Sequence, residues 1–547
     1  MRSALLSLRF APCTPRSLAL LSATLLAALA PAAFVRAEVK LPAFFSDHMV
    51  LQRDVSLPVW GWAKPGTKVV VELVRADGEG AKVESQVGAA EGNEAGQAEV
   101  RWEVALPAQP AGGPHVLKVT VGGEVREIQD VLVGEVWICS GQSNMEWSVT
   151  RSAGGQEEIA AANDPMLRHF KVGLTTATEP KQDVTGAWTV ASPEALGSWT
   201  AVGYWFAKDL RKELGVPVGV INTSWGGTRV EAWTRREALN EIADPGVVEL
   251  LKWWDDRVDR YDAAAEQARY DQQLQDWAVK AEEAKNAGQP EPRKPQPPYN
   301  PTKDQHRPSG LYNAMVAPLV PFAARGFLWY QGESNVPRAF QYRQLFPAMI
   351  ANWRSDWNSE MPFYFVQLAP FQYGGQDPEL LAELWEAQSL TTQALPKVGM
   401  AVITDIGDLK DIHPTNKAEV GRRLSLLALA HDYGKDVPFS GPVFREAKLV
   451  KIAIRVSFDH AEGLKSRTGE PLDHFEIAGE EGKFVAAQAT VDGSDVVVSS
   501  PEVAQPKYVR FGWTNVAEPN LVNKAGLPAS PFRTDDLPAK TAETFTP

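Results

Sequence analysis

Between residues 131 and 433 the sequence alternates short apolar runs with longer stretches of helical periodicity. This alternation is typical of βα units around a parallel sheet. One of the longer stretches places four apolar residues along a single helical face: Phe340, Leu345, Met349 and Trp353. The pattern predicts an α/β fold with a flavodoxin-like, doubly wound sheet. Its five predicted strands are Val131–Cys139, Val218–Asn222, Gly326–Tyr330, Phe363–Leu368 and Gly399–Thr404.

Two β-rich regions flank this predicted α/β domain. Residues 38–125 and 437–535 contain short strand-like runs with turn signals between them, and we expect β-sandwich-type structure in both. The α/β domain then covers residues 126–436. Within it, residues 250–305 combine a charged, helix-prone stretch with a proline-rich return, which indicates an inserted helical arm. The tail, residues 536–547, has no regular pattern.

The first 37 residues have the features of a signal peptide. A basic segment precedes the apolar stretch Leu18 to Ala30, and Val35-Arg36-Ala37 forms a small-residue cleavage site. The alternative is a membrane anchor, but the apolar stretch is well short of the roughly 20 residues that a span needs. We therefore expect a cleaved leader and a periplasmic or secreted protein.

The charge of the chain argues against two classes of partner. The formal net charge is -13, and the predicted leader carries four arginines and no acidic residue, so cleavage makes the mature chain more acidic still. Such a protein is not expected to bind nucleic acid or anionic membranes. Cleavage also leaves Cys139 as the single cysteine, so neither an internal disulfide nor a structural zinc site is expected. No metal or organic cofactor is predicted.

Four polar motifs follow four of the predicted strands. Because ligand sites of open α/β sheets form at the carboxyl ends of the strands, we expect these motifs to meet in one crevice. The motifs are Ser140-Gly141-Gln142-Ser143-Asn144-Met145-Glu146-Trp147, Ser224-Trp225-Gly226-Gly227-Thr228, Gln331-Gly332-Glu333-Ser334-Asn335 and the segment from Asp405 to His413-Pro414.

Ser143 and His413 are the candidate nucleophile and general base. A serine hydroxyl becomes nucleophilic when a neighbouring base accepts its proton, and His413 is one of only eight histidines in the chain. Asp411, two positions earlier, is placed to orient the imidazole through Nδ1. The alternative for the first motif is that Ser143 or Asn144 merely caps a helix. The convergence of the motifs favours catalysis.

Acyl transfer also needs hydrogen-bond donors for the developing oxyanion. The Gly226-Gly227 pair allows backbone amides to approach closely, and Gln331 or Asn335 could add a side-chain donor. The alternative is that these glycines only form tight turns. Glu333 raises a second alternative, a glycosidase carboxylate, but no sequence feature pairs it with a second acid at a fixed separation.

The chain resembles bacterial sialate O-acetylesterase-like proteins of the SGNH hydrolase superfamily, which are carbohydrate acetylesterases. The resemblance runs from about residue 41 to residue 533. Besides the four motifs above, it includes Phe45-Ser46-Asp47-His48-Met49-Val50-Leu51-Gln52 and Leu311-Tyr312-Asn313-Ala314-Met315. It implies a nucleophile at Ser143, a base at His413, and oxyanion donors from the Ser143 amide, the glycine pair and the 331–335 block. Gln142, Glu333 and Asn313 are also expected to line the substrate site.

The chain departs from the wider superfamily at two positions. Gln142 stands where an aspartate usually precedes the serine, and Lys410 stands where the acid usually lies three residues before the histidine. Asp411 is therefore the first candidate for the orienting acid and Asp408 the second. In the third sequence motif, the asparagine that is usual in the superfamily falls at Ser334 or Asn335, so the residue that supplies the side-chain oxyanion donor stays open.

The resemblance implies a serine esterase that removes O-acetyl groups from carbohydrates. Its substrate is an O-acetylated saccharide, either sialic acid or a plant glycan such as xylan or xyloglucan. Two alternatives remain at this point: a broad short-chain lipase or arylesterase, and a carbohydrate-binding protein with an inert hydrolase site. The oligomeric state and the role of the arm are not predicted.

Overall fold

A computed structural model describes residues 39–75, 78, 80–88 and 99–542. The predicted signal peptide and the last five residues of the tail lie outside this part of the chain. In the described part, no helix combines the length and the apolar character required to cross a membrane.

The N-terminal region is a set of short strands around one long strand, β7. Strands β3, β4 and β6 form an antiparallel sheet with the first half of β7, and β2 pairs with β5. These strands are β1 (Val50–Gln52), β2 (Leu57–Ala63), β3 (Lys68–Val74), β4 (Gly80–Gln86), β5 (Val100–Leu106), β6 (Gly112–Val121) and β7 (Glu124–Gly141).

Strand β7 joins this region to the central sheet. Its first half pairs with β6, and its second half is the buried strand that carries the first motif at its carboxyl end. The predicted boundary at residues 125–126 therefore falls within a continuous strand. Because the N-terminal strands share β7 with the central sheet, they help to fix the strand that presents Ser143.

The central sheet confirms the predicted doubly wound fold. It is formed by β7 and by β8 (Asp164–Lys171), β9 (Trp188–Ala191), β10 (Val218–Ser224), β11 (Gly326–Tyr330), β12 (Phe363–Val366) and β13 (Val398–Ala401), in the order β13-β12-β11-β7-β10-β8-β9. The five predicted strands, numbered along the chain, are arranged 2-1-3-4-5, which is the flavodoxin order. Strands β8 and β9 extend the sheet beyond β10.

Strand β8 was not predicted because it carries charged residues. Its Arg168 is buried and pairs with Asp130 at 2.7 Å, and its His169 is buried against the ring of Trp199. Burial lowers the pKa of His169 to about 3, so the imidazole is neutral in the folded chain. Tertiary contacts thus make these polar side chains compatible with a buried strand.

Helices cover both faces of the sheet. They are α1 (Ser143–Glu146), α2 (Gly155–Ala161), α3 (Ala201–Leu214), α4 (Arg236–Asn240), α5 (Pro245–Asp259), α6 (Ala263–Asn286), α7 (Ala339–Asp356), α8 (Leu380–Ala394) and α9 (Lys417–His431). On β12, Phe363 contacts Trp353 of α7, whereas the next residue, Tyr364, lies near His431 of α9. Because successive side chains of a strand point to opposite faces, α7 and α9 lie on opposite sides.

The segment interpreted as an arm, residues 250–305, contains most of helix α5, which begins at Pro245, and all of helix α6. Helix α5 is anchored by buried apolar residues, whereas α6 has no buried residue, and an extended segment then returns to residue 301. Asp244 caps α5 through the amide of Val247, and Asp262 caps α6. The side-chain caps explain where both helices start.

The C-terminal region is β-rich, as expected. Two four-stranded antiparallel sheets, β14-β15-β20-β19 and β18-β17-β21-β23, enclose an apolar core, and β16 pairs with β22. The strands are β14 (Val443–Val450), β15 (Ala453–Asp459), β16 (Lys465–Ser466), β17 (Phe475–Ala478), β18 (Val485–Ala486), β19 (Gln488–Asp492), β20 (Asp495–Ser499), β21 (Tyr508–Phe511), β22 (Leu521–Val522) and β23 (Phe532–Arg533). In the tail, Thr541 is buried and donates its hydroxyl to Glu383 of α8 at 2.6 Å.

Candidate active site

The first motif forms a sharp turn from β7 into α1. Gly141 has a φ of 133°, and a Cβ at this position would lie 2.2 Å from the carbonyl oxygen of Tyr330, so only glycine fits here. Gln142 precedes the helix and accepts a hydrogen bond from the amide of Gly332 at 3.2 Å. Ser143 is therefore the first residue of α1, at the carboxyl end of a central strand.

Ser143 and His413 are in hydrogen-bonding contact. The Ser143 Oγ lies 2.9 Å from the Nε2 of His413, although 270 positions separate the two residues. The imidazole also stacks on the ring of Trp147, with centroids 4.9 Å apart and planes 19° from parallel. A hydroxyl and an imidazole in this contact can exchange a proton, which is the arrangement of an activated serine.

Asp411 is the carboxylate next to the imidazole. Its Oδ1 lies 3.4 Å from His413 Nδ1 and accepts the backbone amide of His413 at 2.9 Å. The side chain of Asp411 is 57% exposed, so solvent weakens its field at the imidazole. Asp408 instead accepts the backbone amides of Lys410 and Asp411, at 2.8 and 3.3 Å, and so shapes the turn.

The surroundings of His413 favour its neutral form. Partial burial is the main cause that lowers its pKa below 6.5; Asp411 opposes this effect, and the positive charges of Lys417 and Arg151 add to it. The guanidinium of Arg151 lies 3.5 Å from the centroid of the Trp147 ring, on which the imidazole stacks. His413 can therefore accept a proton at neutral pH.

Asn144 connects three of the four motifs. Its Nδ2 donates to Glu333 Oε1 at 2.6 Å and to the carbonyl oxygen of Ile412 at 2.9 Å, and its Oδ1 accepts from Lys417 Nζ. Because Asn144 follows Ser143 and Ile412 precedes His413, this side chain helps to hold the candidate nucleophile and the candidate base close together. From the sequence, the only individual role expected of Asn144 was that of a helix cap, but the residue before α1 is Gln142.

Lys417 is a fully buried cation beside the candidate nucleophile and base. Its ammonium lies 5.0 Å from the Tyr330 ring centroid and 5.7 Å from that of Trp147. Burial lowers its pKa to about 7, against the opposing charge of Glu333. Burial also disfavours the charged form of Glu333 and so raises its pKa; the Oε2 of this residue is buried without a hydrogen-bond partner. The sequence did carry a signal for Lys417, because a lysine in the first turn of a helix opposes the helix dipole.

The second motif lies directly against Ser143. An atom added to the Cα of Gly226 would be 3.3 Å from the Ser143 Cβ. The Gly226 amide, however, donates to Glu146 Oε2 at 2.8 Å, so this predicted donor already has an acceptor. Gly227 has a φ of 75°, and in the described part of the chain its amide and that of Ser143 have no hydrogen-bond acceptor.

The predicted side-chain donors of the third motif bind protein groups. Gln331 Nε2 donates to the Thr228 carbonyl oxygen at 3.1 Å and to Asn335 Oδ1 at 2.6 Å. Asn335 Nδ2 donates to Glu231 at 3.0 Å, and both amide side chains are fully buried. These contacts connect the second and third motifs. Gln331 Nε2 thus uses both of its N–H donors within the protein, whereas Asn335 Nδ2 uses one of its two.

Two further predicted residues have buried roles of their own. Glu333 accepts the hydrogen bond from Asn144 through its Oε1. Asn313 donates to the carbonyl oxygens of Thr178 and Ala177, at 3.0 and 3.4 Å. It thus anchors a neighbouring chain segment from a short π-helical turn, Tyr312–Val316.

Comparisons with known proteins are consistent across sequence and structure. The family model described as carbohydrate esterase, sialic acid-specific acetylesterase, matches residues 133–275 and 301–429. A sialate O-acetylesterase of Rattus norvegicus is 27% identical over 87% of this chain and 89% of its own length. The sialate O-acetylesterase of Homo sapiens is 27% identical over 75% of this chain and 74% of its own length.

A solved structure gives the stronger comparison. A carbohydrate acetylesterase from Xanthomonas citri is 38% identical to this chain, with a TM-score of 0.75. The match covers 91% of this chain and 100% of the solved one, so it includes both β-rich regions. The chain therefore belongs to the carbohydrate esterase family of sialic acid-specific acetylesterases and is a carbohydrate acetylesterase.

Proposed function

We propose that this carbohydrate acetylesterase is a serine esterase that works through an acetyl-serine intermediate. The observation that carries the proposal is the 2.9 Å contact between Ser143 Oγ and His413 Nε2. In the first step, Ser143 Oγ bonds to the acetyl carbonyl carbon while His413 accepts the hydroxyl proton. The sugar C–O oxygen then leaves as an alcohol, with that proton returned by His413.

The second step regenerates the enzyme. The same imidazole takes a proton from water, whose oxygen attacks the acetyl-serine carbonyl carbon. The Ser143 Oγ leaves with the proton from His413, and acetate is released. For the oxyanion of both steps we propose the backbone amides of Ser143 and Gly227, because these donors have no protein acceptor in the described structure.

The proposed substrate is a saccharide that carries an O-acetyl group. The names of the mammalian relatives support acetylated sialic acid, and that of the Xanthomonas citri structure supports a carbohydrate ester more broadly. Acetylated xylan and xyloglucan are the plant-glycan candidates. Acetate release from acetylated sialyl mucin, xylan and xyloglucan, measured at equal acetyl concentration, decides among these substrates by their kcat/KM.

The nucleophile is tested with Ser143→Ala, using p-nitrophenyl acetate as substrate. We expect this variant to lose nearly all activity, whereas Ser359→Ala, which removes an exposed serine hydroxyl, retains wild-type turnover. His413→Ala is likewise expected to be inactive but folded. If Ser143→Ala and the wild type turn over at the same slow rate, the site is inert and the proposal fails. Faster turnover of octanoyl than of acetyl esters would instead indicate a lipase or arylesterase.

We also propose that the protein is exported, because residues 1–37 have the composition and order of a signal peptide. Expression of the full chain in a Gram-negative host, followed by fractionation and N-terminal sequencing, tests this. The expected product begins near Glu38 and is found in the periplasm or the medium. An intact N-terminus in the cytoplasmic fraction would contradict the proposal.

A further inference from the structure

The helical arm carries a cleft that neither Ser143 nor His413 lines. The cleft has a volume of about 470 Å³ and lies between α5, α6 and the segment that returns to residue 301. Helix α5 is anchored by Val247, Leu250, Leu251 and Trp254, so one wall of the cleft is fixed to the body of the enzyme. The family model leaves residues 276–300 unmatched, and this segment supplies the opposite wall through Tyr299.

The cleft contains an arginine between two aromatic rings. The guanidinium of Arg257 lies 4.9 Å from the centroid of Trp253 and 4.6 Å from that of Tyr299. Within the described residues, no carboxylate lies within 4.0 Å of Arg257, whereas the cleft's Arg260 faces Asp256 at 3.6 Å and its Arg269 pairs with Glu266. Arg257 therefore keeps an uncompensated positive charge on an exposed, planar group that suits a carboxylate.

The aromatic rings are held in place by other contacts. The Tyr299 hydroxyl donates to Asp304, and Trp253 packs edge-on against buried Trp254, with centroids 5.1 Å apart. Even so, the Tyr299 side chain is 48% exposed. Fixed, partly exposed aromatic rings can contact the CH groups of a pyranose while the neighbouring cation binds the carboxylate of the same sugar. Because the rings are already ordered, little conformational entropy is lost on binding.

The cleft is connected to the active site by a short piece of chain. Gln305, six positions after Tyr299, donates its side-chain amide to the Gly226 carbonyl oxygen at 3.2 Å. Six residues span at most about 20 Å when fully extended. Gly226 itself lies against Ser143. An oligosaccharide whose acetylated sugar is at Ser143 can therefore extend towards the arm.

We propose that the cleft around Arg257, Trp253 and Tyr299 is an accessory subsite for a carboxylate-bearing sugar of the acetylated substrate. The proposal rests on the carbohydrate esterase function proposed above and adds a second point of recognition. The carboxylate binds the Arg257 guanidinium, and the sugar ring packs on the aromatic side chains. Sialic acid and uronic acids share this chemistry, so both are included in the test.

Binding can be measured without catalysis, because unacetylated sugars are not hydrolysed. Titration calorimetry of the wild-type enzyme compares 3′-sialyllactose and digalacturonic acid with neutral lactose. We expect one or both acidic sugars to bind more tightly than lactose, and more weakly at high salt. Arg257→Gln should weaken the binding of the acidic sugar about tenfold or more, since it removes a charge-assisted hydrogen bond. Tyr299→Ala should weaken it as well.

The matched control is Arg293→Gln, which changes an exposed arginine of the arm that does not line the cleft. This variant should bind like the wild type. All three variants should hydrolyse p-nitrophenyl acetate at the wild-type rate, which separates failure of the subsite from failure of the esterase proposal. The subsite proposal is overturned if neither acidic sugar binds better than lactose, or if Arg257→Gln binds as tightly as Arg293→Gln.

Discussion

Replacing Lys417 with methionine removes a buried positive charge near His413 while keeping a side chain of similar length. Lys417 is charged below its pKa of about 7, and this charge lowers the pKa of His413. In the variant, the imidazole pKa should rise, so a smaller fraction of His413 is neutral in mildly acidic solution. The acid limb of the pH profile of kcat/KM should therefore move to higher pH.

The structure sets the size of this shift. Lys417 Nζ lies 5.7 Å from the Trp147 ring centroid and the His413 ring centroid lies 4.9 Å from that same centroid, so the two charges are at most about 11 Å apart. At about 10 Å, two unit charges interact by about 0.4 kcal/mol in water and by about 1.7 kcal/mol at an effective dielectric of about 20. Since one pH unit corresponds to about 1.36 kcal/mol and a shorter separation strengthens the interaction, the expected shift is at least about 0.3 pH units in water and at least about 1.2 at the lower dielectric.

The assay is p-nitrophenyl acetate hydrolysis between pH 4.5 and 8, with Lys212→Met, an exposed lysine of α3, as the matched control. The control should reproduce the wild-type profile. Above pH 8 the wild-type Lys417 is itself largely neutral, so the charge-dependent difference between the enzymes should disappear there. A folded, active Lys417→Met enzyme whose acid limb coincides with that of the wild type, or moves to lower pH, would refute the reasoning.

Three further predictions concern the same site. In the wild type, the midpoint of the acid limb of kcat/KM should fall below pH 6.5, because burial lowers the pKa of His413; a midpoint above 7 would contradict this. Asp411→Asn should reduce kcat/KM for p-nitrophenyl acetate by less than about tenfold, because the carboxylate is exposed, and a thousandfold loss would show that it acts as a strong partner. Asn144→Ala should lower kcat about 10- to 100-fold with little change in KM, because it releases Ile412; wild-type kcat would exclude a positioning role.

The sequence was sufficient to predict that Ser143 and His413 lie close together, because the topology of the strands places the two residues at one edge of the sheet. Once the strands that end at Cys139 and near Thr404 are assigned to one parallel sheet, the loops after them must share an edge, and Ser143 and His413 lie in those loops. The flavodoxin-like order of the five strands also followed from the alternation of apolar runs and helical stretches. The predicted five-strand pattern omitted β8, because the charges of Arg168 and His169 concealed a buried strand.

The proposed oxyanion donors could not be predicted in the same way, because their assignment depends on where individual N–H groups point. Gly226 had the expected residue type and position, yet its amide binds Glu146. Gln331 and Asn335 had suitable side chains, yet each is bound within the protein. Lys417 was missed although its place in the first turn of α9 was a signal; its contact with Asn144, however, arises from the packing of α9. Such assignments require three-dimensional contacts.

Helix α1 shows why the residues around Ser143 matter as much as Ser143 itself, the proposed nucleophile. It has only four residues and no side-chain cap at its start, and a helix of this length is not stable alone. Its side chains instead bind the neighbouring motifs: Asn144 reaches Glu333 and Ile412, and Glu146 reaches Gly226. The position of the Ser143 hydroxyl is therefore determined jointly by the loops after four strands. Substitutions in any of these loops should therefore lower the rate of acetyl ester hydrolysis even where the free energy of unfolding changes little.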